Sequence, residues 1–60
     1  MISDLDKLRC IEREIKIRKQ VYPNRILTKR MSQAKADYEI AVMQAIADDY
    51  ERCIEVEHAG

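Results

Sequence analysis

The stretch from Met31 to Val56 constrains the fold most, because nothing in it interrupts an α-helix. It contains neither proline nor glycine, and its interior is rich in Ala, Glu, Gln, Met and Ile, which favour helix. Ser32 can cap its first turn by accepting a hydrogen bond from an unpaired backbone N–H. We therefore predict a helix over about residues 33–56. Its apolar face recurs at three- and four-residue steps: Ala36, Ile40, Met43, Ala47, Tyr50 and Ile54.

A first helix is predicted over about residues 4–29. Ser3 can cap it, and the acidic Asp4 and Asp6 suit the positive end of the helix dipole. Asp6 stands where Glu or Gln would complete a capping box, so we expect only a partial box. Arg18 falls on the apolar seam, where we expect it to snorkel rather than pair with a carboxylate of another helix or subunit. The apolar positions are Leu5, Leu8, Ile11, Ile15 and Tyr22, widened by Ile17 and Val21.

Pro23 is the one serious break in the first helix, because proline removes a backbone N–H and disfavours helical angles in the preceding residue. The helix either ends near Val21 or continues with a kink. If helix 1 ended near Val21, Ile26 and Leu27 would lie in a long loop. If helix 1 continues through Pro23, the turn is confined to residues 30–32. We favour the kinked, continuous helix, although the turn then lacks the glycine that usually follows a helix end.

Two helices joined by so short a turn predict an antiparallel hairpin, with residues 1–60 forming a single all-α domain and residues 57–60 a frayed tail. Tyr22 then lies near Ile40, and Cys10 near Cys53. A 60-residue chain buries little surface, and helix 2 has more apolar surface than helix 1 can cover. We therefore predict a homodimer, most simply a four-helix bundle. The residues assigned to self-association are Tyr38, Val42, Met43, Ile46 and Tyr50.

Export and membrane insertion are not expected, since the acidic N-terminus lacks a hydrophobic signal core and no apolar run reaches 18 residues. A cytoplasmic location follows as an expectation, and with it two reduced, buried thiols at Cys10 and Cys53. Glu55 and His58 have the Glu-x-x-His spacing of di-iron bundles, but His58 is at the fraying end. We predict no metal, no cofactor and no catalytic residue.

The charges are segregated along the chain, although their sum is zero. Residues 13–30 hold seven bases against one acid, and residues 32–60 hold seven acids against two bases. Mutual attraction of the two helices is the preferred interpretation. A basic segment also suits an acidic partner surface or nucleic acid, which is the alternative function. The bases assigned to that alternative are Arg13, Lys16, Lys19, Arg25, Lys29 and Arg30.

Two stretches resemble known sequences: residues 14–23, EIKIRKQVYP, and residues 30–46, RMSQAKADYEIAVMQAI. They are similar to small proteins encoded in bacteriophages and prophages of Gram-negative bacteria, which share a Val-Tyr-Pro element and a Met-x4-Ala-x2-Glu-Ile element. Many of these carry a glycine where this chain has Lys29. No activity is assigned to them, so the resemblance implies only a setting: the cytoplasm of a bacterial host and an accessory role on a host or phage protein.

The favoured hypothesis is a non-enzymatic protein that acts by binding another protein. Its partner-binding surface is assigned to the basic region around Pro23, with Tyr22 and Ile26 as apolar anchors. The residues assigned to this surface are Arg18, Tyr22, Pro23, Arg25, Ile26 and Arg30.

Overall fold

The chain folds as a helical hairpin of 48 × 19 × 14 Å in a computed structural model that describes the backbone of residues 1–59 and the side chains of residues 1–56. Helix α1 spans Asp4–Leu27 and helix α2 spans Gln33–Ala59. They run antiparallel: Lys7 Nζ lies 5.6 Å from the centre of the Tyr50 ring at the open end. The predicted hairpin is confirmed. Helix α2 continues three residues beyond the predicted end at about residue 56. The side chains of the predicted tail, residues 57–60, lie outside the described side chains.

Helix α1 begins with a complete capping box, where we expected a partial one. The Asp6 N–H donates to Ser3 Oγ at 3.1 Å, and the Ser3 N–H donates to Asp6 Oδ2 at 3.3 Å. The shorter aspartate side chain thus still reaches back to the cap, as glutamate does in the usual box. At the start of α2, Ser32 Oγ accepts from the Lys35 N–H at 3.1 Å, which confirms the predicted cap.

Helix α1 continues through Pro23, as favoured from the sequence. Proline at this position has no N–H to donate, so the Lys19 carbonyl loses its usual partner four residues further on. The helix is therefore continuous but has one backbone acceptor released on the side where Pro23 lies.

Helix α1 ends at Leu27, two residues before the predicted end, because Lys29 adopts a left-handed conformation with φ of 62°. The Arg30 N–H donates to the Arg25 carbonyl at 2.9 Å, and the Lys29 N–H donates to the Ile26 carbonyl at 3.1 Å. These two bonds form a Schellman motif, in which glycine usually takes the left-handed position. Lysine makes the same turn at a conformational cost.

The core lies along the seam between the helices. Helix α2 presents its predicted face in full, but helix α1 does not: Leu5, Ile17 and Val21 are exposed. Ile17 is turned about 200° away from the buried Ile15, because each residue advances 100° around the helix. The buried residues among 1–56 are Ile15, Tyr22, Ala36 and Ala47, flanked by the half-buried Leu8, Ile11, Ile26, Ile40, Met43, Tyr50 and Ile54.

The two thiols are exposed and unbridged, so the prediction that Cys10 and Cys53 are buried was wrong. Cys53 directly precedes Ile54 and is turned about 100° out of the seam, and Cys10 is turned about 100° from the half-buried Ile11 in the same way. Both thiols are therefore accessible to reagents.

Candidate partner-binding groove

An open groove of about 490 Å³ runs along one flank of the hairpin near its closed end. Tyr22 and Ala36 are buried there, and Ile26 and Ile40 are half-buried. The apolar lining thus contains residues of both helices. Tyr22 and Ile40, which we expected to lie near each other, both belong to it. The lining residues are Lys19, Tyr22, Pro23, Ile26, Gln33, Ala36, Asp37, Ile40, Ala41 and Gln44.

Small residues on α2 create the groove. Ala36 and Ala41 line it where longer side chains would fill the space beside Tyr22. On the α1 side, Pro23 and Lys19 line the same groove, and the Lys19 carbonyl is the acceptor that Pro23 leaves without a helical N–H. The groove therefore combines apolar contact from the Pro23 ring with the positive charge of Lys19.

Polar side chains of the groove are engaged along α2. Gln33 Nε2 donates to Asp37 Oδ1 at 2.8 Å, and Gln44 Nε2 donates to Asp48 Oδ1 at 3.0 Å. Each pair spans one helical turn on the solvent side. Lys19 is the cation of the lining, so the charge on the α1 side of the groove is positive.

Arg18 links the hydroxyl of Tyr22 to the carboxylate of Glu14. Arg18 Nη1 donates to the Tyr22 hydroxyl at 3.0 Å, and Arg18 Nε lies 3.5 Å from Glu14 Oε2. The hydrogen bond to Tyr22, followed by the charge interactions with Tyr22 and Glu14, raises the pKa of Arg18. Arg18 thus pairs with a carboxylate of its own helix and not of another, and its side chain, 44% exposed, still reaches solvent.

The structure brings three of the six residues assigned to partner binding into this groove: Tyr22, Pro23 and Ile26. Tyr22 is buried, with 4% of its surface exposed, and so contributes to the groove lining without projecting from the surface. Arg18 and Arg25 lie on the opposite side of α1, beside Glu14, Ile17 and Val21. Arg30 lies at the closed end, with Lys29.

The bases of the nucleic-acid alternative are exposed but do not form one surface. Lys16 and Lys19 lie beside Gln44 on the groove side, whereas Arg25 is on the other side of α1. Lys29 and Arg30 form the closed end, and Arg13 is exposed in the middle of α1.

The ion pairs of residues 1–56 all lie within one helix: Asp4 with Lys7, Glu14 with Arg18, and Asp49 with Arg52. None joins α1 to α2 among these side chains. Mutual attraction of the helices, the interpretation preferred from the sequence, therefore has no direct ion pair to support it here.

The residues assigned to self-association divide into two groups. Tyr38, Val42 and Ile46 are exposed, whereas Met43 and Tyr50 are half-buried in the seam with α1. Sequence reasoning did not select the α2 residues Gln33, Asp37, Ala41 and Gln44 for the groove. The sequence does contain one indication of this part of α2: the antiparallel register places Ile40 next to Tyr22.

Comparison with family models, curated proteins and solved structures finds no match to the chain. Within the described part of the chain, no three His, Cys, Asp or Glu side chains cluster as metal ligands would. Neither helix, over its described residues, combines the length and apolar character needed to cross a bilayer.

Proposed function

We propose that this chain is a non-enzymatic accessory protein that binds and modulates another protein as an oligomeric helical hairpin. The groove between Tyr22 and Ala41 carries the proposal, because it pairs an open apolar lining with a positively charged closed end. The resemblance to phage and prophage proteins supports a host or phage protein as the partner and the bacterial cytoplasm as the location.

The groove suits an amphipathic helix or a short apolar segment of the partner. Such a segment would place its apolar side chains against Tyr22, Ile26 and Ile40, as helices do in other hydrophobic grooves. Lys19, Lys29 and Arg30 would attract acidic residues at its edge and speed association.

Oligomerisation, with a dimeric four-helix bundle as the simplest form, completes the proposal. The seam leaves large apolar side chains on α2 uncovered, among them Tyr38, Val42 and Ile46. A two-helix hairpin with four buried residues among 1–56 gains stability by covering more apolar surface.

Two matched variants test the groove. Ala41→Glu places a carboxylate in the groove, and Ala45→Glu places the same group on exposed α2 surface outside its lining. We expect tagged wild-type protein and Ala45→Glu to capture the same partner from a bacterial lysate, and Ala41→Glu to capture at least about tenfold less. Equal capture by all three would contradict the groove as the binding surface.

Nucleic-acid binding through the exposed bases is the alternative, and salt separates the two functions. Binding to phosphates weakens steeply as salt rises, whereas apolar anchoring changes little. A gel shift at low salt with single- and double-stranded DNA and RNA is the direct measurement. Absence of retardation removes the alternative, and retardation abolished by Lys16→Glu with Lys19→Glu would favour it.

A further inference from the structure

The two flanks of the hairpin differ in chemistry. A residue that directly precedes a seam residue is turned about 100° to one side of its helix. Because α1 and α2 are right-handed and antiparallel, this step leads to the same flank of the hairpin from both helices. Residues that directly follow a seam residue lie on the opposite flank, where the groove is.

The flank opposite the groove carries four β-branched side chains, two on each helix. Val21 precedes the buried Tyr22 and Ile46 precedes the buried Ala47, while Ile17 and Val42 lie one turn before them. All four are partly exposed: Ile17 by 44%, Val21 by 38%, and Val42 and Ile46 by 39% each. We call these four residues the apolar flank.

Of the residues that directly follow the four buried positions, Lys16, Asp37 and Asp48 are charged, and the fourth is Pro23 of the groove. Of the four that directly precede them, Glu14 and Lys35 are charged, and the other two are Val21 and Ile46. The hairpin therefore has aliphatic side chains of both helices among the charges of one flank, and charged side chains around a groove on the other.

We infer that a second copy of this chain covers the apolar flank, which specifies the oligomeric hairpin proposed above and rests on it. A twofold interface uses the same patch on both copies, so the patch must complement itself. The charges around the apolar flank are compatible with that condition, because both signs occur there in nearly equal number and can pair across a twofold axis. The bases are Lys7, Arg18, Arg25 and Lys35, and the acids are Glu14, Glu39 and Asp49.

The whole face that holds the apolar flank is large enough for a dimer interface. Its outline of 48 × 19 Å covers roughly 900 Å², and a stable interface buries about 800 Å² on each partner, so such an interface would include the charged residues around the four aliphatic side chains. Docking a second copy would remove the four aliphatic side chains from water, which is the stabilisation that the small seam lacks. A partner carrying a single sign of charge would meet like charges on this flank, which favours the second copy.

Neighbouring substitutions test the interface. Ile46→Glu places a carboxylate on the apolar flank, and Ala45→Glu places it one residue away, facing outward. By sedimentation equilibrium we expect twice the 7.1 kDa chain mass for the wild type and for Ala45→Glu. For Ile46→Glu we expect a dimer dissociation constant at least 100-fold higher. A wild type of 7.1 kDa with full helical signal, or an unchanged constant for Ile46→Glu, overturns the inference.

A crosslinking variant covers the case in which Ile46→Glu fails to fold. In a Cys10→Ser, Cys53→Ser background, Val42→Cys should crosslink to a dimer with a short bismaleimide, whereas Asp48→Cys on the groove flank should not. Crosslinking through Asp48→Cys alone would overturn the inference while leaving an oligomer. A monomer whose partner capture depends on Ala41 would overturn it and leave the groove function intact. A flank dimer with Ala41-independent capture would contradict the groove only.

Discussion

Arg18 donates a hydrogen bond to the hydroxyl of Tyr22, 3.0 Å away and one turn along the same helix. The ring is buried, yet its polar end has a charged partner near the surface, since Arg18 is exposed and also pairs with Glu14. Buried tyrosines usually satisfy the hydroxyl in this way. The contact fixes the largest side chain of the seam without burying a charge.

Replacement of Tyr22 should separate its apolar role from its polar role. Tyr22→Ala removes a buried ring, which costs about 3–5 kcal/mol and matches the few kcal/mol that a core of this size supplies. We expect it to lose its helical circular dichroism at 25 °C. Tyr22→Phe keeps the ring, so we expect full helicity and a smaller shift of the urea midpoint. Equal losses in both variants would contradict the packing role.

The contact with Tyr22 should not make stability depend on pH in the usual range. Because the pKa of Arg18 is raised in the folded protein, the stabilisation is present below the unfolded pKa and lost only as pH rises through the folded one. Both lie far above neutrality. The difference between the wild type and Tyr22→Phe in urea melts should therefore be constant from pH 6 to 9.

Lys29→Gly should stabilise the hairpin. Lys29 has a φ of 62°, and a left-handed residue with a side chain costs about 1 kcal/mol more than glycine there. We expect the free energy of unfolding to rise by about 1 kcal/mol in urea melts. Arg13→Gly is the control, because glycine inside α1 should lower it by about the same amount. A destabilised Lys29→Gly would mean that lysine makes contacts there that outweigh the strain.

Pro23→Ala should also stabilise α1. Alanine restores the N–H that the Lys19 carbonyl lacks and removes a steric clash, together about 3 kcal/mol in a helix interior. Urea melts measure the gain, and Gln20→Ala at an exposed site of the same helix should change little. If the groove function is correct, Pro23→Ala should weaken partner capture although the protein is more stable, because the variant lacks the ring that lines the groove. A gain in both properties would remove Pro23 from the binding site.

The capping box can be measured by a double-mutant cycle. Ser3 and Asp6 each accept from the other's backbone, so Ser3→Ala should cost about 1 kcal/mol and the two changes together less than their sum. Asp6→Ala combined with Ser32→Ala is the control. Those residues belong to different caps, so their changes in the free energy of unfolding should add. Additivity within the Ser3 cycle would contradict the reciprocal bonds.

The sequence predicted the helices, both serine caps, the continuation through Pro23 and the α2 face of the seam, because each follows from local chemistry and period. It placed the end of α1 two residues late, since the usual glycine signal is replaced by Lys29. It also assigned Cys10 and Cys53 to the core. The two residues lie at matching levels along the hairpin, but burial depends on the 100° step around each helix, which turns both thiols out of the seam.

Half of the assigned partner-binding set lies in the groove, because sequence proximity to Pro23 does not separate the two sides of a helix. Apolar character alone adds Ile17 and Val21 to the stripe of helix 1, although the structure exposes them on the far side of α1. The α2 contribution to the groove depends on pairing between helices, which single-helix periodicity does not give.

The groove and the apolar flank lie back to back across a body only 14 Å thick in its smallest dimension. Joining two copies through their apolar flanks would turn both grooves outward, away from each other. Such an assembly is bivalent. It can bridge two partner molecules, or it can bind both halves of one symmetric partner with an overall affinity far above that of a single groove. A chain of 60 residues would thereby work as a clamp or a crosslinker, an outcome that neither helix dictates alone.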